Sequence, residues 1–136
     1  MAVGRKWSEW TYAKKATVNW VDDALADGVE ETSDEISLEG TVDCEVGVQL
    51  FEDDTGDISG DVTIYLLRSV DGAGAWEVST AGTPFGVAVT PIRDAGVYKP
   101  LSVGPTGGVC VSVKNACGQE LTVTVMYRTA TIDTIA

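Results

Sequence analysis

The stretch TVDCEVGVQLF, residues 41–51, decides the fold class. Apolar and polar side chains alternate along it, so that one set of positions is hydrophobic and the other is hydrophilic. The apolar set is Val42, Cys44, Val46, Val48 and Leu50, and the polar set includes Asp43, Glu45 and Gln49. Because successive side chains of a β-strand point to opposite faces, this period of two predicts a strand with one buried face.

The segments that follow this strand are typical of further strands separated by turns. DVTIYLLRS (61–69) alternates Val62, Ile64 and Leu66 against Thr63, Tyr65 and Leu67. Asp71-Gly72 predicts a hairpin that leads into AWEVST (75–80). FGVAVTPI (85–92) and GVYKPLSV (96–103) contain Pro91 and Pro100, which suit edge strands or strand ends. GVCVSVKN (108–115) and QELTVTVMYRT (119–129) predict a last hairpin that turns at Ala116-Cys117-Gly118.

These segments predict an all-β fold, a β-sandwich or jelly roll of about 7–8 antiparallel strands with an extended N-terminal arm. The predicted division is a docking arm with an acidic linker over residues 1–32 and a β-sandwich domain over residues 33–136. Within the linker, VDDALADGVEE (21–31) has Val21, Leu25 and Val29 spaced by four, which favours a short helix, although Gly28 weakens it.

Charge is distributed unevenly along the chain. Residues 1–20 contain four of the nine basic residues and three of the four tryptophans, whereas residues 21–61 contain 15 acidic residues and no lysine or arginine. The net charge is −12 and the pI is about 4.1. Such a surface repels a phosphate backbone, so nucleic acid is not an expected partner. No run of about 18 apolar residues is present, so no membrane span is expected. A membrane partner is also not expected, because the body of the protein is acidic.

The N-terminal arm is the candidate interface. Aromatic and basic side chains are enriched at protein interfaces because they bury much area at modest entropic cost. Three alternatives stay open: docking on a neighbouring subunit or other protein, packing onto the protein's own sandwich, and anchoring at a membrane surface. The basic side chains could meet the acidic segment within the chain or on a neighbour. The candidate interface residues are Arg5, Lys6, Trp7, Trp10, Tyr12, Lys14, Lys15 and Trp20.

No catalytic site is predicted. The chain has no histidine, so it lacks the commonest general base and the usual partner of a cysteine nucleophile. Acidic residues fall at outward positions or in turns, where solvation explains them. The protein is therefore expected not to be an enzyme and to need no cofactor.

Two loops have partial ligand-binding patterns. FEDDTGDISGD (51–61) offers calcium ligands but does not match the EF-hand spacing, so a solvated acidic turn is the favoured interpretation. SVDGAGAW (69–76) approaches the aspartate box of propeller hydrolases, with Ala73 where a glycine belongs, and is better interpreted as a hairpin. The calcium candidates are Asp53, Asp54, Asp57 and Asp61, and the aspartate-box matches are Ser69, Asp71 and Trp76.

The three cysteines are expected to be free thiols. Their number is odd, no secretory leader is recognisable, and no CxxC spacing supports zinc. Alternation places Cys44 inward, Cys110 opposite to Val109 and Val111, and Cys117 in a turn. A cytoplasmic site of synthesis is expected, with release by lysis or assembly.

From Ile36 to Arg128 the chain resembles small β-sandwich proteins of tailed-bacteriophage particles. The matching segments are SLEGTVDCEVGVQL, DVTIYLLRSVDGAGAW and GVCVSVKNACGQELTVTVMYRTA. The resemblance implies a capsid decoration, or cement, protein: a homotrimer on the outer shell of the virion, with an N-terminal arm between capsomers and the major capsid protein as partner. A neck, tail or head-fibre-base component is an alternative within the virion.

An alternative of a different class is a calcium-assisted carbohydrate-binding module. In that function, solvent-facing aromatic side chains would stack on sugar rings. The candidates are Trp76, Tyr65 and Tyr98. The fold alone does not distinguish the two functions, because a β-sandwich serves either.

Overall fold

A computed structural model of the chain describes residues 2–52, 58–68, 85–89, 97–102 and 107–135. All the regular structure in these residues is β-strand, and each strand pairing is antiparallel. The strands are β1 (Ala2–Trp7), β2 (Thr11–Tyr12), β3 (Lys14–Lys15), β4 (Val18–Asn19), β5 (Asp23–Leu25), β6 (Glu30–Thr32), β7 (Ile36–Ser37), β8 (Asp43–Phe51), β9 (Val62–Arg68), β10 (Phe85–Val89), β11 (Val97–Ser102), β12 (Gly108–Asn115) and β13 (Leu121–Ile135).

Two larger sheets and a small hairpin make up the described part of the chain. The first sheet has the order β1-β13-β8-β11, with β2 and β5 also paired to β13. The second has the order β10-β9-β12-β6, with β7 also paired to β12, and β3 pairs with β4. The predicted all-β fold is confirmed, and the arrangement is that of a β-sandwich. Seven of the described strands precede residue 38, in and just beyond the region predicted as arm and linker.

Alternation predicted the buried face of the sandwich well. In β8 the side chains of Cys44, Val46, Val48 and Leu50 are fully buried, whereas Val42 lies before the strand and is 38% exposed. In β9 the inward set of Val62, Ile64 and Leu66 is buried in the same way. These side chains belong to one hydrophobic cluster that lies between the two sheets.

The predicted hairpin over residues 108–129 is wrong. Within the described residues, β12 pairs with β6, β7 and β9, and β13 pairs with β1, β2, β5 and β8, so the two strands belong to different sheets. The Asn115 side chain holds the connection: its Nδ2 donates to the carbonyls of Leu25 (3.0 Å) and Gln119 (2.8 Å), and its Oδ1 accepts from Cys117 N (3.0 Å). These bonds replace a hairpin ladder, and both strands then turn their apolar faces into one core.

The predicted helix over residues 21–31 is also wrong. Its two ends are short strands, β5 against β13 and β6 against β12. Leu25 is buried, but Val21 and Val29 are 38% and 39% exposed, so spacing by four does not define the buried face. Residues on both sides of the predicted boundary at residue 33 therefore contribute strands to the same sheets.

The structure tests the predicted position of Pro100. It does not test that of Pro91 or the hairpin and strand predicted within residues 69–84. Pro100 lies in β11, and among the described residues β11 pairs on one side, with β8, which is consistent with an edge position. Pro91, the Asp71-Gly72 hairpin and the strand over 75–80 lie outside the described residues.

Candidate functional site

The eight candidate interface residues form no single surface. Trp20 is in the interior and Lys15 is at its margin, while Tyr12 and Lys14 line a cleft. Arg5, Lys6 and Trp7 lie on β1, and Trp10 follows that strand. The predicted arm is thus laid along the sandwich. Which of these residues a partner could contact therefore depends on the burial and the ion pairs of each one.

Trp20 is a core residue and not a contact for a partner, which corrects its place in the candidate interface. Its side chain is 1% exposed. Its backbone N–H donates to the carbonyl of Ala13 (2.8 Å), and its carbonyl accepts from Val125 N (3.0 Å). For this tryptophan the structure supports the alternative of packing onto the protein's own sandwich.

Lys15 shows where some of the basic charge of the arm goes. Its ammonium forms ion pairs with Asp23 and Glu31 of the acidic segment and lies 5.3 Å from the ring centre of Trp20. Burial lowers the pKa of Lys15, but hydrogen bonds and charge attraction from the two carboxylates outweigh it, so the pKa is raised. The basic arm and the acidic segment thus meet within one chain.

A second group, which we call the tryptophan clamp, consists of Trp7, Trp10 and Arg128. The guanidinium of Arg128 lies 4.6 Å from the ring centre of Trp7 and 5.0 Å from that of Trp10. Its Nη2 also donates to Glu45 Oε1 at 2.9 Å. Arg128 and Glu45 are directly opposite in the β13–β8 ladder. The clamp therefore fastens the first strand's end to the outer face of the sheet.

Arg5 makes a similar cross-strand contact closer to the chain's start. Its Nη1 lies 2.8 Å from Asp43 Oδ2, although the Arg5 side chain is 58% exposed. The two residues stand on β1 and β8, so the contact passes over β13. Lys6 and Lys14 are exposed, and neither forms an ion pair with an acidic residue in the described part of the chain.

The first and last strands extend past the rest of the sheet as a two-stranded ribbon, residues 2–7 and 130–135. Ala2 to Trp7 pair with Ile135 to Ala130, whereas the β8 ladder ends at Ala130. Among the described residues, no ladder covers the other side of residues 131–135. Ile132 on this ribbon is 55% exposed. A lone two-stranded ribbon is marginally stable in water, so this one gains from a further strand.

Sequence reasoning did not find Arg128 or Glu45. Both lie at outward positions of strands that the alternating pattern predicted. Their hydrogen bond, however, joins residues that are 83 positions apart in the sequence. The signals visible in the sequence were an arginine in the last strand, a tryptophan in the first strand and a second tryptophan just after it. The pairing of β1 with β13 was needed to bring them together.

The predicted ligand patterns are mostly beyond what the structure describes. Asp53, Asp54, Asp57 and the residues Ser69, Asp71 and Trp76 lie outside the described residues, and so does the side chain of Tyr98. Tyr65 is half-buried in β9. The described residues include no group of three His, Cys, Asp or Glu side chains placed to hold a metal ion.

The three cysteines are free and buried. Burial raises the pKa of the Cys44 thiol to about 12, with smaller contributions from Asp43 and Glu45. Burial also raises the pKa of Cys110 to about 11 and raises that of Cys117. Cys110 is buried although it faces opposite to Val109 and Val111, because its strand is covered on both faces. Protonated, enclosed thiols are poor nucleophiles.

The Cys44 thiol is expected to make stability fall at alkaline pH. Its ordinary pKa is 9.0 and its folded pKa is about 12. Well below pH 9 both states hold the proton, so the contribution of this thiol to stability is complete there. Between these values only the unfolded state ionises, and the free energy of unfolding falls by about 1.4 kcal/mol per pH unit for this thiol.

Urea unfolding of the wild type and of Cys44→Ala as a function of pH measures this effect. The difference in unfolding free energy between the two proteins should shrink by about 1 kcal/mol from pH 9 to about pH 10, since the unfolded thiol is already half ionised at pH 9. The two proteins differ at this one residue, so contributions common to both cancel. Parallel pH dependences for the two proteins would show that the thiol is not the cause.

Comparison with known proteins assigns the chain to no family and to no function. No family model matches the chain, and no curated protein matches it. Among solved structures, the chain is similar to a family GH115 4-O-methyl-α-glucuronidase with specificity for decorated arabinogalactans, with a TM-score of 0.46 and 13% identity. The similarity covers 88% of this chain but 16% of that one. At this level the likeness assigns no function.

No helix in the described part of the chain is long and apolar enough to cross a membrane.

Proposed function

We propose that the chain is a structural protein of a tailed-bacteriophage particle, which decorates the capsid surface as a homotrimer and stabilises it by bridging capsid subunits. The observation that carries the proposal is the ribbon of β1 and β13, which extends past its neighbouring strand β8. The resemblance of residues 36–128 to virion β-sandwich proteins supports the same role.

The ribbon is suited to docking on a second copy of the chain. Its first strand carries the exposed side chains of Arg5 and Lys6, and the segment 21–61 of a neighbouring copy offers the opposite charge, with exposed acidic side chains that include Asp22 and Asp27. An exposed strand edge supplies backbone hydrogen bonds, and charge complementarity fixes which strand is accepted. A head-to-tail contact of this kind closes into a ring when the rotation is one third of a turn.

Substitution of Ile132 by aspartate is expected to break the trimer. It places a carboxylate at an apolar position of the ribbon that is 55% exposed, so the folded monomer tolerates it while the interface does not. The matched control is Val18→Asp, because Val18 is 68% exposed and lies outside the ribbon. Light scattering should give the mass of three chains for the wild type and Val18→Asp, and that of one chain for Ile132→Asp.

Three results would each contradict part of the proposal. A wild type that stays a monomer at all concentrations refutes the trimer, and an Ile132→Asp variant that stays a trimer moves the interface away from the ribbon. Co-sedimentation with capsid shells tests the decoration role itself. A trimer that does not sediment with shells would refute decoration while leaving the ribbon contact intact.

A further inference from the structure

A cleft at the margin of the sandwich is independent of the ribbon. It lies beside the β3–β4 hairpin, between Tyr127 of the first sheet and Ile36 of the second. Its volume is about 340 Å³. Small-molecule sites in proteins begin at about 300 Å³, so the cleft has room for a ligand of one or two rings.

The walls of the cleft are fixed by hydrogen bonds. Asp34 N donates to the carbonyl of Lys14 (2.7 Å), and the Asp34 carboxylate accepts from Ala16 N (3.1 Å) and Thr17 N (2.8 Å). Ala16 and Thr17 have φ angles of 50° and 68°, which suit a tight hairpin turn but are unfavourable for residues other than glycine and asparagine. The Asp34 carboxylate stabilises this turn, so the cleft is formed before any ligand arrives.

The lining combines an apolar base with a polar rim. Ile36 is buried, and Tyr127 packs against the hydrophobic core. Around them lie groups that donate or accept hydrogen bonds and are open to solvent: Thr11, Tyr12, Lys14, Thr17, Asn19 and Glu35. A sugar ring has the same two characters, with C–H groups on its faces and hydroxyls on its edge.

The charged residues that line the cleft restrict the class of ligand that it can bind. The lining has the carboxylates of Asp34 and Glu35 against the ammonium of Lys14, in a chain of net charge −12. A phosphate or carboxylate ligand would be repelled by this field. A wholly apolar ligand would strip water from the polar rim without replacing its hydrogen bonds. A neutral, hydroxyl-rich ligand is not repelled by the negative charge, and it can form hydrogen bonds with the polar rim in place of water.

We propose that this cleft binds a neutral sugar ring. Tyr127 and Ile36 form its base, and Asn19, Lys14 and Glu35 bond to its hydroxyls. The proposal does not involve Trp76, Tyr65 or Tyr98, the aromatic residues predicted for a carbohydrate-binding function. It also does not depend on the trimer or on a capsid.

Titration calorimetry with D-glucose, D-galactose, D-mannose, D-xylose and N-acetyl-D-glucosamine tests the proposal. We expect saturable binding of at least one sugar with a Kd in the millimolar range. Asn19→Ala and Glu35→Gln should each weaken it by about tenfold, because the first removes the side-chain amide from the rim and the second replaces a charged hydrogen-bond acceptor by a weaker, neutral amide. Glu39→Gln is the matched control, since Glu39 is also an exposed glutamate but lies outside the cleft lining.

Circular dichroism on each variant verifies that the fold is retained. Binding that is weakened by the two cleft variants and unchanged by Glu39→Gln supports the proposal. Absence of saturable heat for all five sugars at about 50 mM overturns it. Binding that survives both cleft substitutions also overturns it, because the sugar would then occupy another surface.

Discussion

Replacement of Trp20 by alanine should lower the free energy of unfolding by about 3–5 kcal/mol, the largest effect expected of a substitution in the N-terminal segment. The side chain is 1% exposed and belongs to the core cluster. Its removal leaves a cavity between the first 20 residues and β13, and the rigid sheet can refill this space only in part. Urea denaturation monitored by circular dichroism measures the loss.

Trp10→Ala is the matched control for this prediction. Trp10 is half-buried and contacts Arg128 from the outer side of the sheet, so its loss should cost about 1 kcal/mol. If both variants lose the same free energy, Trp20 does not complete the core, and docking on a partner becomes its better explanation.

Because Trp20 belongs to the core, deletion of residues 1–20 does not test docking. That deletion removes Trp20 and Ala13 from the core, together with the β1 and β2 ladders on β13. A truncated chain that no longer assembles would report unfolding as readily as a lost interface. Single substitutions at exposed ribbon positions separate the two causes.

Local alternation explains how much of the fold could be predicted from the sequence. Cys44 to Leu50 and Val62 to Leu66 are buried in the pattern that a period of two requires. This signal depends on nearest neighbours along a strand, and it is preserved wherever one face of the strand is buried. Pro100 lies in a strand that pairs on one side among the described residues, and this position follows from chemistry that is equally local, the missing N–H of proline.

Strand partnership could not be predicted in this way. Residues 108–129 have the appearance of a hairpin, because both halves alternate and a glycine-containing turn joins them. The bonds of Asn115 to Leu25, Gln119 and Cys117 instead direct the chain from one sheet to the other. The short strands β2 and β5 have two and three residues, too few for any period to be recognised. They are strands because β13 offers an edge.

The sequence predicted which residue types make up the candidate interface, but not where each of them lies in the structure. The sequence indicates that tryptophans and basic residues are concentrated near the start and acidic residues after them. The contacts of Arg5 with Asp43 and of Lys15 with Asp23 and Glu31 place these opposite charges together within one chain. Exposure then sorts the candidates: Lys6 lies on the ribbon facing solvent, whereas Trp20 is enclosed.

Replacement of Arg128 by alanine is expected to destabilise the protein by about 2 kcal/mol, the second large effect. The guanidinium contacts both rings of the clamp, and each contact is worth about 0.5–1 kcal/mol at a partly exposed site. The cross-strand bond to Glu45 adds about 0.5–1 kcal/mol. Arg128→Lys keeps the charge but loses the planar group that lies against the rings, so it should recover less than half of the loss.

Arg5→Ala provides the matched control, since Arg5 also pairs with a carboxylate across the sheet, at 2.8 Å against 2.9 Å for Arg128. The described contacts place no ring on Arg5, and its side chain is 58% exposed, so its loss should cost about 0.5 kcal/mol or less. Urea denaturation of both variants, and a double-mutant cycle of Arg128→Ala with Trp7→Ala, give the coupling energy directly. Equal losses for the two arginines, or zero coupling, would mean that the rings contribute nothing. A coupling of about 1 kcal/mol would show that the clamp holds the end of β1. Since Trp7 is the last residue of β1, the clamp would then also fix the position at which the ribbon leaves the sandwich.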